Sequence, residues 1–490
     1  MGQDSTGAQP SLSTRDDRRV RSYLRRLEIL APNVRQDEFV SNGIPALLDL
    51  QESILRLQIE IQKDIAAAKQ RRPRDANTHL FVEQLRNVRL LSRTLGDSLA
   101  WVTLLFDRQV IHSLYQKSPV PIPSAMTDSH HGTLAFARAN TRAEWGLPIV
   151  HDITDILRVG DLTFMRPTGG REPLAEYRTF ELKVSRVGEG EVDASGKQDV
   201  ELHVMAVSNE PFPDIAGQIA TTPGESALAE PAARRPDRRI DRQMARMDVA
   251  RDRKNAPFHE LTEIGTERIF TLKLEREPEP EWGKLRAAIR AARRNGYAYF
   301  SLDGFVGYAL FYNRNGVTGE DMQSGGLAED IRRTVMHEEL GPRNSLTINQ
   351  LPALDDNTPA TLTLPFFLWK VPRNAIRDLI RHRLVIMAVF NSGRMEKLLK
   401  DAGVEVRPAE GGKDYRSFEV VVPLSWENAR GEYHMGGPWD EMVAAVREFR
   451  HPSAVVMRVQ AAARIPDHLT AQQLIAGANE TPGPEDAAAS

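Results

Sequence analysis

The sequence contains no cysteine. A disulfide framework, a thiolate zinc site, an iron–sulfur cluster and a cysteine nucleophile are all excluded. Lysine is scarce: 12 lysines stand beside 52 arginines in 490 residues, a bias expected of a GC-rich genome. Charge of one sign is lacking as well. The 64 basic and 67 acidic residues leave a formal net charge of −3, so the average carries no sign of a polyanionic partner. Long apolar runs are missing. The most apolar stretch, Leu99 to Phe106, lies between Asp97 and Asp107. It falls short of the ~18 residues of a membrane span, and no membrane partner is expected. The start, MGQDSTGAQPSLSTRDDRR, lacks the charged-then-apolar order of a secretory signal. Cytoplasmic residence in a bacterium is the expectation. Gly2 and Thr6 fit the loose M-G-x-x-x-[ST] acylation pattern, within a polar start (1–17) that reads as disordered.

The composition that remains, 41% hydrophobic and 27% charged, is that of an ordinary globular protein. At roughly 100–200 residues per domain, the length suggests two to four domains. Residues 18–120 read as a helical hairpin or small bundle. A short amphipathic helix spans 18–31. A long helix follows Gly43 and Pro45, with Leu47, Leu50, Ile54, Leu57, Ile61 and Ile65 at steps of three and four. A third runs over about 79–117, until prolines 119, 121 and 123. Its apolar stripe suits core packing, with a homodimer through these helices as the other reading.

Past Pro123 the pattern changes. Residues 132–145 suit a helix. The stretches 152–167 and 176–187 alternate with period two across a Gly- and Pro-rich connection, and 199–207 reads as another strand. Residues 208–233 read as loop, within an insertion at about 187–233, and 234–254 as a basic helix. From 276 to 469 helices and strands alternate: helix 281–295, strands 297–303 and 305–312, strands near 345–351 and 361–370, helix 373–382, strand 383–390, helix 392–402, strand 416–423, helix 438–449 and strand 453–460. Residues 470–490 read as a disordered tail. The fold class is a multidomain α/β protein: N-terminal helical bundle, α/β core over 130–275, C-terminal α/β domain.

Several familiar motifs fail. His337-Glu338 lacks a histidine at 341, where Gly341 stands. Gly196-Lys197 and Gly412-Lys413 lack the rest of a P-loop, and no G-x-S-x-G occurs. His130-His131 has no acidic or histidine partner at helical spacing and reads as solvated loop.

One arrangement carries chemistry. Asp161 heads the stretch GDLTFM, and Glu181-Leu182-Lys183 lies in YRTFELKVS. Strand alternation puts Glu181 and Lys183 on one face, opposite Phe180, Leu182 and Val184. Asp161 and Thr163 likewise oppose Leu162 and Phe164. If the two stretches pair through the 165–176 connection, Asp161, Glu181 and Lys183 meet. Paired carboxylates are hard oxygen ligands suited to Mg²⁺ or Mn²⁺. A lysine beside them can orient water and offset charge on a phosphate. The short acid-x-Lys pattern is no argument by itself. With 67 acids and 12 lysines chance yields about two such pairs, and two occur. The other, Asp252 and Lys254, lies in a polar helical stretch, whereas Glu181 and Lys183 lie in a strand.

The segment 234–254 holds eight Arg, one Lys and four Asp, a local charge of +5. Gln243 and Arg246 share a helix face, with Arg239 one turn earlier. Arg239, Arg242 and Arg246 are candidates for phosphate contacts.

On these residues the stretch 130–275, about a third of the chain, resembles the PD-(D/E)xK nuclease superfamily, the restriction-endonuclease-like fold. The resemblance implies metal ligation by Asp161 and Glu181 and assistance to the attacking water by Lys183. It implies a site role for Gln243 and for a basic neighbour, Arg246, on the following helix. Glu144 is the candidate for the additional acid that some members carry on the helix before the first strand. Gly160 stands where the family has its name-giving proline, and the gap between Lys183 and Gln243 is long for the family. The implied activity is Mg²⁺-dependent phosphodiester hydrolysis, on DNA before RNA, in the manner of bacterial defence effectors. Two alternatives stay open. One is a non-catalytic nucleic-acid-binding or protein-interaction protein that keeps the fold. The other places chemistry in the C-terminal domain, where Asp303, Tyr308, His382 and His434 are scattered polar candidates.

Overall fold

The computed structural model describes residues 12–71, 75–115, 122, 124–140, 146–168, 175–192, 198–207, 238–256, 261–264, 267–270, 278–324, 326–343, 345–352, 363–408, 418–426, 429–435 and 438–463. Glu144 and the expected loop over 208–233 lie outside them, as do 1–11 and the tail. The chain is a mixed α/β protein with several small antiparallel sheets. It divides into two compact units, Met1–Asn255 and Ala256–Ser490.

The first unit begins with helices α1 (Thr14–Leu30), α2 (Gln36–Gln70), α3 (Ala76–Thr103), α4 (Arg108–Leu114) and α5 (Asp128–Ala139). Strands β1 (Leu147–Val150), β2 (Leu162–Pro167), β3 (Ala175–Val192) and β4 (Gln198–Val207) follow, then helix α6 (Arg238–Asn255). The expected apolar stripe of α2 is its buried side: Leu47, Leu50, Ile54, Leu57, Ile61 and Ile65 are all 7% exposed or less. The backbone breaks at Gly43, where φ is +74, so the regular helix starts where Gly43 and Pro45 place it. The expected helix over 79–117 is two helices. Leu105 and Phe106 take positive φ between α3 and α4, and Asp107 caps the second through the Val110 N–H at 3.1 Å.

These helices pack against the strands. Gln51 of α2 donates to the Pro148 carbonyl (2.9 Å) and accepts from the Val150 N–H (2.7 Å). Gln58 donates to the Ile153 carbonyl at 2.9 Å. Gly96 of α3 lies so close to that carbonyl that an added Cβ would stand 1.9 Å from its oxygen. The unit 1 sheet is a meander in the order β1-β2-β3-β4, every pair antiparallel. The expected strand over 152–167 is regular only from Leu162; His151–Ile153 form a 3₁₀ turn instead. The reason is local: this turn spends its backbone groups on helix side chains rather than on a neighbouring strand.

The second unit opens with a hairpin, β5 (Leu261–Ile264) and β6 (Glu267–Phe270), and helix α7 (Trp282–Asn295). Next come β7 (Tyr297–Leu302), β8 (Val306–Tyr312), α8 (Gly319–Ser324), α9 (Leu327–Thr334), β9 (Leu346–Leu351), α10 (Arg373–Ile380), β10 (Leu384–Asn391) and α11 (Ser392–Asp401). Its main sheet has the order β7-β8-β10-β9, antiparallel throughout. A second sheet joins β11 (Glu405–Pro408), β12 (Phe418–Trp426) and β13 (Ala429–Met435), before α12 (Pro438–Arg447) and α13 (Pro452–Ala463). The expected strand over 453–460 is helix α13. Pro452 suits the first helical turn, and the alanines that follow favour helix over the β-branched pair Val455-Val456. Residues 363–371 hold a short 3₁₀ turn, Phe366–Leu368, rather than a strand. Among the described residues no helix is long and apolar enough to cross a membrane.

Candidate functional site

β2 and β3 pair as expected, from Leu162 opposite Phe180 and Thr163 opposite Thr179 to Pro167 opposite Ala175. One face is apolar. Leu162, Phe164, Phe180 and Leu182 are buried on it. Phe164 and Phe180 meet edge to face at 5.7 Å between ring centroids, and Phe136 of α5 closes the cluster 5.8 Å from Phe180. The opposite face carries Thr163, Thr179, Glu181 and Lys183 by the alternation of the strand. Glu181 is only 7% exposed. Burying a carboxylate is costly unless it is paired or hydrogen-bonded.

Asp161 sits one residue ahead of β2. Its N–H donates to the Phe180 carbonyl at 2.7 Å, and Phe180 is also the register partner of Leu162. Two residues thus face one, the arrangement of a β-bulge. The bulge turns the Asp161 side chain toward the next position of β3, where its Oδ2 accepts from the Leu182 N–H at 2.7 Å. The Asp161 carboxylate thus reaches the residue next to Glu181 on β3, with one of its acceptor sites engaged by backbone. The bulge needs Gly160. Its φ is +75, and a Cβ there would lie 2.6 Å from Thr179 Cγ2 and 2.8 Å from the Phe180 carbonyl oxygen. Proline is held near −65° and cannot take this conformation. The residue in place of the family's proline is thus one that proline could not replace.

The turn before Asp161 is fixed from several sides. Asp97 of α3 is buried, and its Oδ1 accepts from the N–H groups of Asp155 (2.6 Å) and Ile156 (3.1 Å). Burial, and then the neighbouring Asp155, push the Asp97 carboxyl up to about 7. Arg93 and Arg158 both hold the Asp155 carboxylate, at 3.0 and 2.6 Å. His151 is buried as well. Its backbone N–H donates to the Asp161 carbonyl at 3.0 Å. Its ring lies between the Gly160 carbonyl (Nδ1, 3.0 Å) and the Thr163 hydroxyl (Nε2, 2.9 Å), and Thr163 reaches Thr179 at 2.8 Å. Burial pushes the His151 imidazole down to about 4, so it is neutral near pH 7.

Helix α6 packs chiefly on α4 and meets Tyr177 and Thr179, which share the strand face of Glu181, around one small cavity. Met247 and Ala250 are its buried residues in unit 1, and Gln243 and Lys254 fall on the same stripe, at steps of four, three and four. Lys254 donates to the Tyr177 carbonyl at 3.1 Å. A cavity of ≈ 20 Å³, about one water, is lined by Tyr177, Thr179, Met247, Ala250, Arg251 and Lys254 with residues of α4. Arg242 and Arg246 are exposed, and Arg246 donates to Gln243 Oε1 at 3.4 Å. For Arg239 the structure places the backbone on α6.

Two residues depart from expectation. His130 is no solvated loop residue: it is 5% exposed and forms a capping box with Thr127 at the start of α5. His151 was not singled out by sequence. Its partners are a glycine carbonyl and a threonine twelve residues on, for which no spacing rule exists. In the second unit the hydroxyl of Tyr308 donates to the Val446 carbonyl at 2.8 Å within the core. Asp303 lies in the β7–β8 turn with φ +49.

Among the described residues no cluster of three or more His, Asp or Glu side chains is placed to hold a metal ion. The donor set at β2 and β3 is a pair of carboxylates. That set fits Mg²⁺ or Mn²⁺, which is commonly held by one or two carboxylates, with waters and substrate phosphates completing the shell. No family model, curated protein or solved structure matches the chain.

Proposed function

We propose that the first unit is a metal-dependent phosphodiesterase acting on nucleic acid, DNA before RNA, of the PD-(D/E)xK kind. The observation that carries this reading is the bulge at Gly160-Asp161. There the Asp161 carboxylate reaches β3 next to Glu181, accepting from the Leu182 N–H at 2.7 Å, and Lys183 lies two residues on along the strand face of Glu181. Asp161 and Glu181 would hold Mg²⁺ or Mn²⁺, which when bound polarises the phosphate and lowers the pKa of a water. Lys183 offsets charge on the phosphate oxygens and orients the attacking water. Gln243 lies on the same stripe of α6 as Met247, Ala250 and Lys254, and it is assigned a hydrogen bond to a phosphate or water. Exposed Arg242 and Arg246 supply sequence-independent contacts to the backbone, and Arg239 is assigned to the same contacts. A cytoplasmic role in bacterial defence is part of this reading, and so is dimerisation through the N-terminal helices.

The test is cleavage of supercoiled plasmid and of single-stranded RNA with Mg²⁺ or Mn²⁺. Asp161→Ala, Glu181→Ala and Lys183→Ala should each remove cleavage while the chain stays folded, with Asp161→Ala also lowering the unfolding temperature because the Leu182 N–H loses its acceptor. Cleavage unchanged in all three would overturn the assignment. A second reading, a non-catalytic nucleic-acid binder, has one observation in its favour. The Asp161 carboxylate already serves the sheet by accepting from Leu182. On that reading DNA binding falls with Arg242→Ala and Arg246→Ala, and no metal produces cleavage.

A further inference from the structure

The hydrogen bonds around His151 fix its tautomer. The Gly160 carbonyl can only accept, so Nδ1 carries the proton and donates to it at 3.0 Å. Nε2 then bears a lone pair. The Thr163 hydroxyl must donate to it, at 2.9 Å. With its proton spent, Thr163 accepts from the Thr179 hydroxyl at 2.8 Å. One polarity therefore runs through four groups, from Thr179 through Thr163 and His151 to Gly160. The chain ties together β3, β2 and the turn that launches Asp161. The His151 N–H adds a second hold by donating to the Asp161 carbonyl at 3.0 Å. Thr163 is fully buried and His151 is 3% exposed, so water does not compete for these bonds. Gly160 depends on this hold. In its left-handed conformation its carbonyl points to the ring and away from the β3 ladder.

We propose that His151 is a positioning residue of the candidate site: as the Nδ1–H tautomer it clamps the Gly160 carbonyl and so sets where the Asp161 carboxylate stands beside Glu181. The inference rests on the metal-site reading given above. It assigns His151 no contact with substrate or metal. Groups that orient metal ligands from behind typically alter metal affinity 10–100-fold when removed.

Two measurements decide it. The first is the tautomer in the intact chain, read from two-bond ¹H–¹⁵N correlations of ¹⁵N-histidine protein. A proton on Nδ1 is expected; a ring protonated at Nε2 overturns the proposal. The second is Mn²⁺ affinity by calorimetry, with no nucleic acid present. His151→Leu should bind Mn²⁺ about 10–100-fold more weakly. His151→Asn, whose amide N–H can replace the Nδ1 donor, should stay within about threefold of the original chain. Equal Mn²⁺ affinity in His151→Leu and the original chain refutes the role of His151 and leaves the metal site standing. An original chain that binds no Mn²⁺ and cuts nothing refutes the metal-site reading itself. Should His151→Leu fail to fold, Thr163→Val keeps the ring and removes the donor to Nε2. It should lower Mn²⁺ affinity several-fold, and unchanged affinity there counts against the proposal.

Discussion

Gly160 and Gly43 allow a controlled test of how the candidate site is held. Both are in the first unit and their φ angles are almost equal, +75 and +74. Their surroundings differ. A Cβ at Gly43 would meet only Pro45 Cδ, at 3.8 Å, an ordinary contact. At Gly160 it would meet Thr179 Cγ2 at 2.6 Å and the Phe180 carbonyl oxygen at 2.8 Å. Gly43→Ala should therefore cost only the left-handed strain, ~1 kcal/mol. Gly160→Ala adds the displacement of a paired strand, and overpacking of this kind costs ~1–3 kcal/mol. Its total is ~2–4 kcal/mol. Hydrogen exchange of peptides covering β2 and the first half of β3 reads this without interference from the second unit. At 1.4 kcal/mol per decade, protection should fall about fivefold in Gly43→Ala and about 30- to 700-fold in Gly160→Ala. Equal losses would show that the close approach to β3 is not what requires glycine.

Further outcomes follow from the same unit. Asp97→Asn keeps an oxygen for the Asp155 and Ile156 N–H groups and removes the charge. Because the folded carboxyl is raised from 3.8 to about 7, its contribution is full at acid pH and is lost as pH rises through 7. The original chain should lose up to ~4 kcal/mol relative to Asp97→Asn between pH 4 and pH 8, read as denaturant midpoints, and parallel pH profiles would refute this. Phe180→Ala opens the aromatic cluster with Phe136 and Phe164 and should cost ~3–5 kcal/mol, seen as a lower unfolding temperature of the first unit. Gly96→Ala drives a Cβ to 1.9 Å from the Ile153 backbone oxygen. Its thermal unfolding should drop by more than that of Gly43→Ala, and a melting curve like the original would show that α3 can move away at little cost.

The strands that form the site were legible because alternation is a local signal. Phe180, Leu182, Leu162 and Phe164 announce one buried face whatever lies around them. The stripe of α2 is legible for the same reason. What was not legible depends on partners distant in sequence or on backbone. The bulge at Asp161 follows from a glycine φ, which composition does not display. The burial of His130 follows from a cap, and that of His151 from a carbonyl acceptor. The segment after Pro452 shows the limit of β-branched residues as a strand signal when proline opens a helix and alanines continue it. Part of the long spacing between Lys183 and Gln243 is strand: β3 runs on to Val192 and β4 returns to Val207.

That extension has a mechanical meaning. β3 pairs with β2 from Ala175 to Phe180 and with β4 from Glu181 to Val192. The two ladders meet end to end at the Phe180–Glu181 peptide and do not overlap. The half paired with β2 is clamped beneath α5 by the aromatic cluster. The other half is a ribbon of two strands whose near end lies under the same helix: a Cβ on Gly132 of α5 would stand 2.4 Å from Val184 Cγ2. The helix therefore spans the join of the two ladders, and a tilt of the ribbon bends the pair beyond Val184. Glu181 lies inside that support, so whatever grips the far end of the ribbon leaves the carboxylate in place.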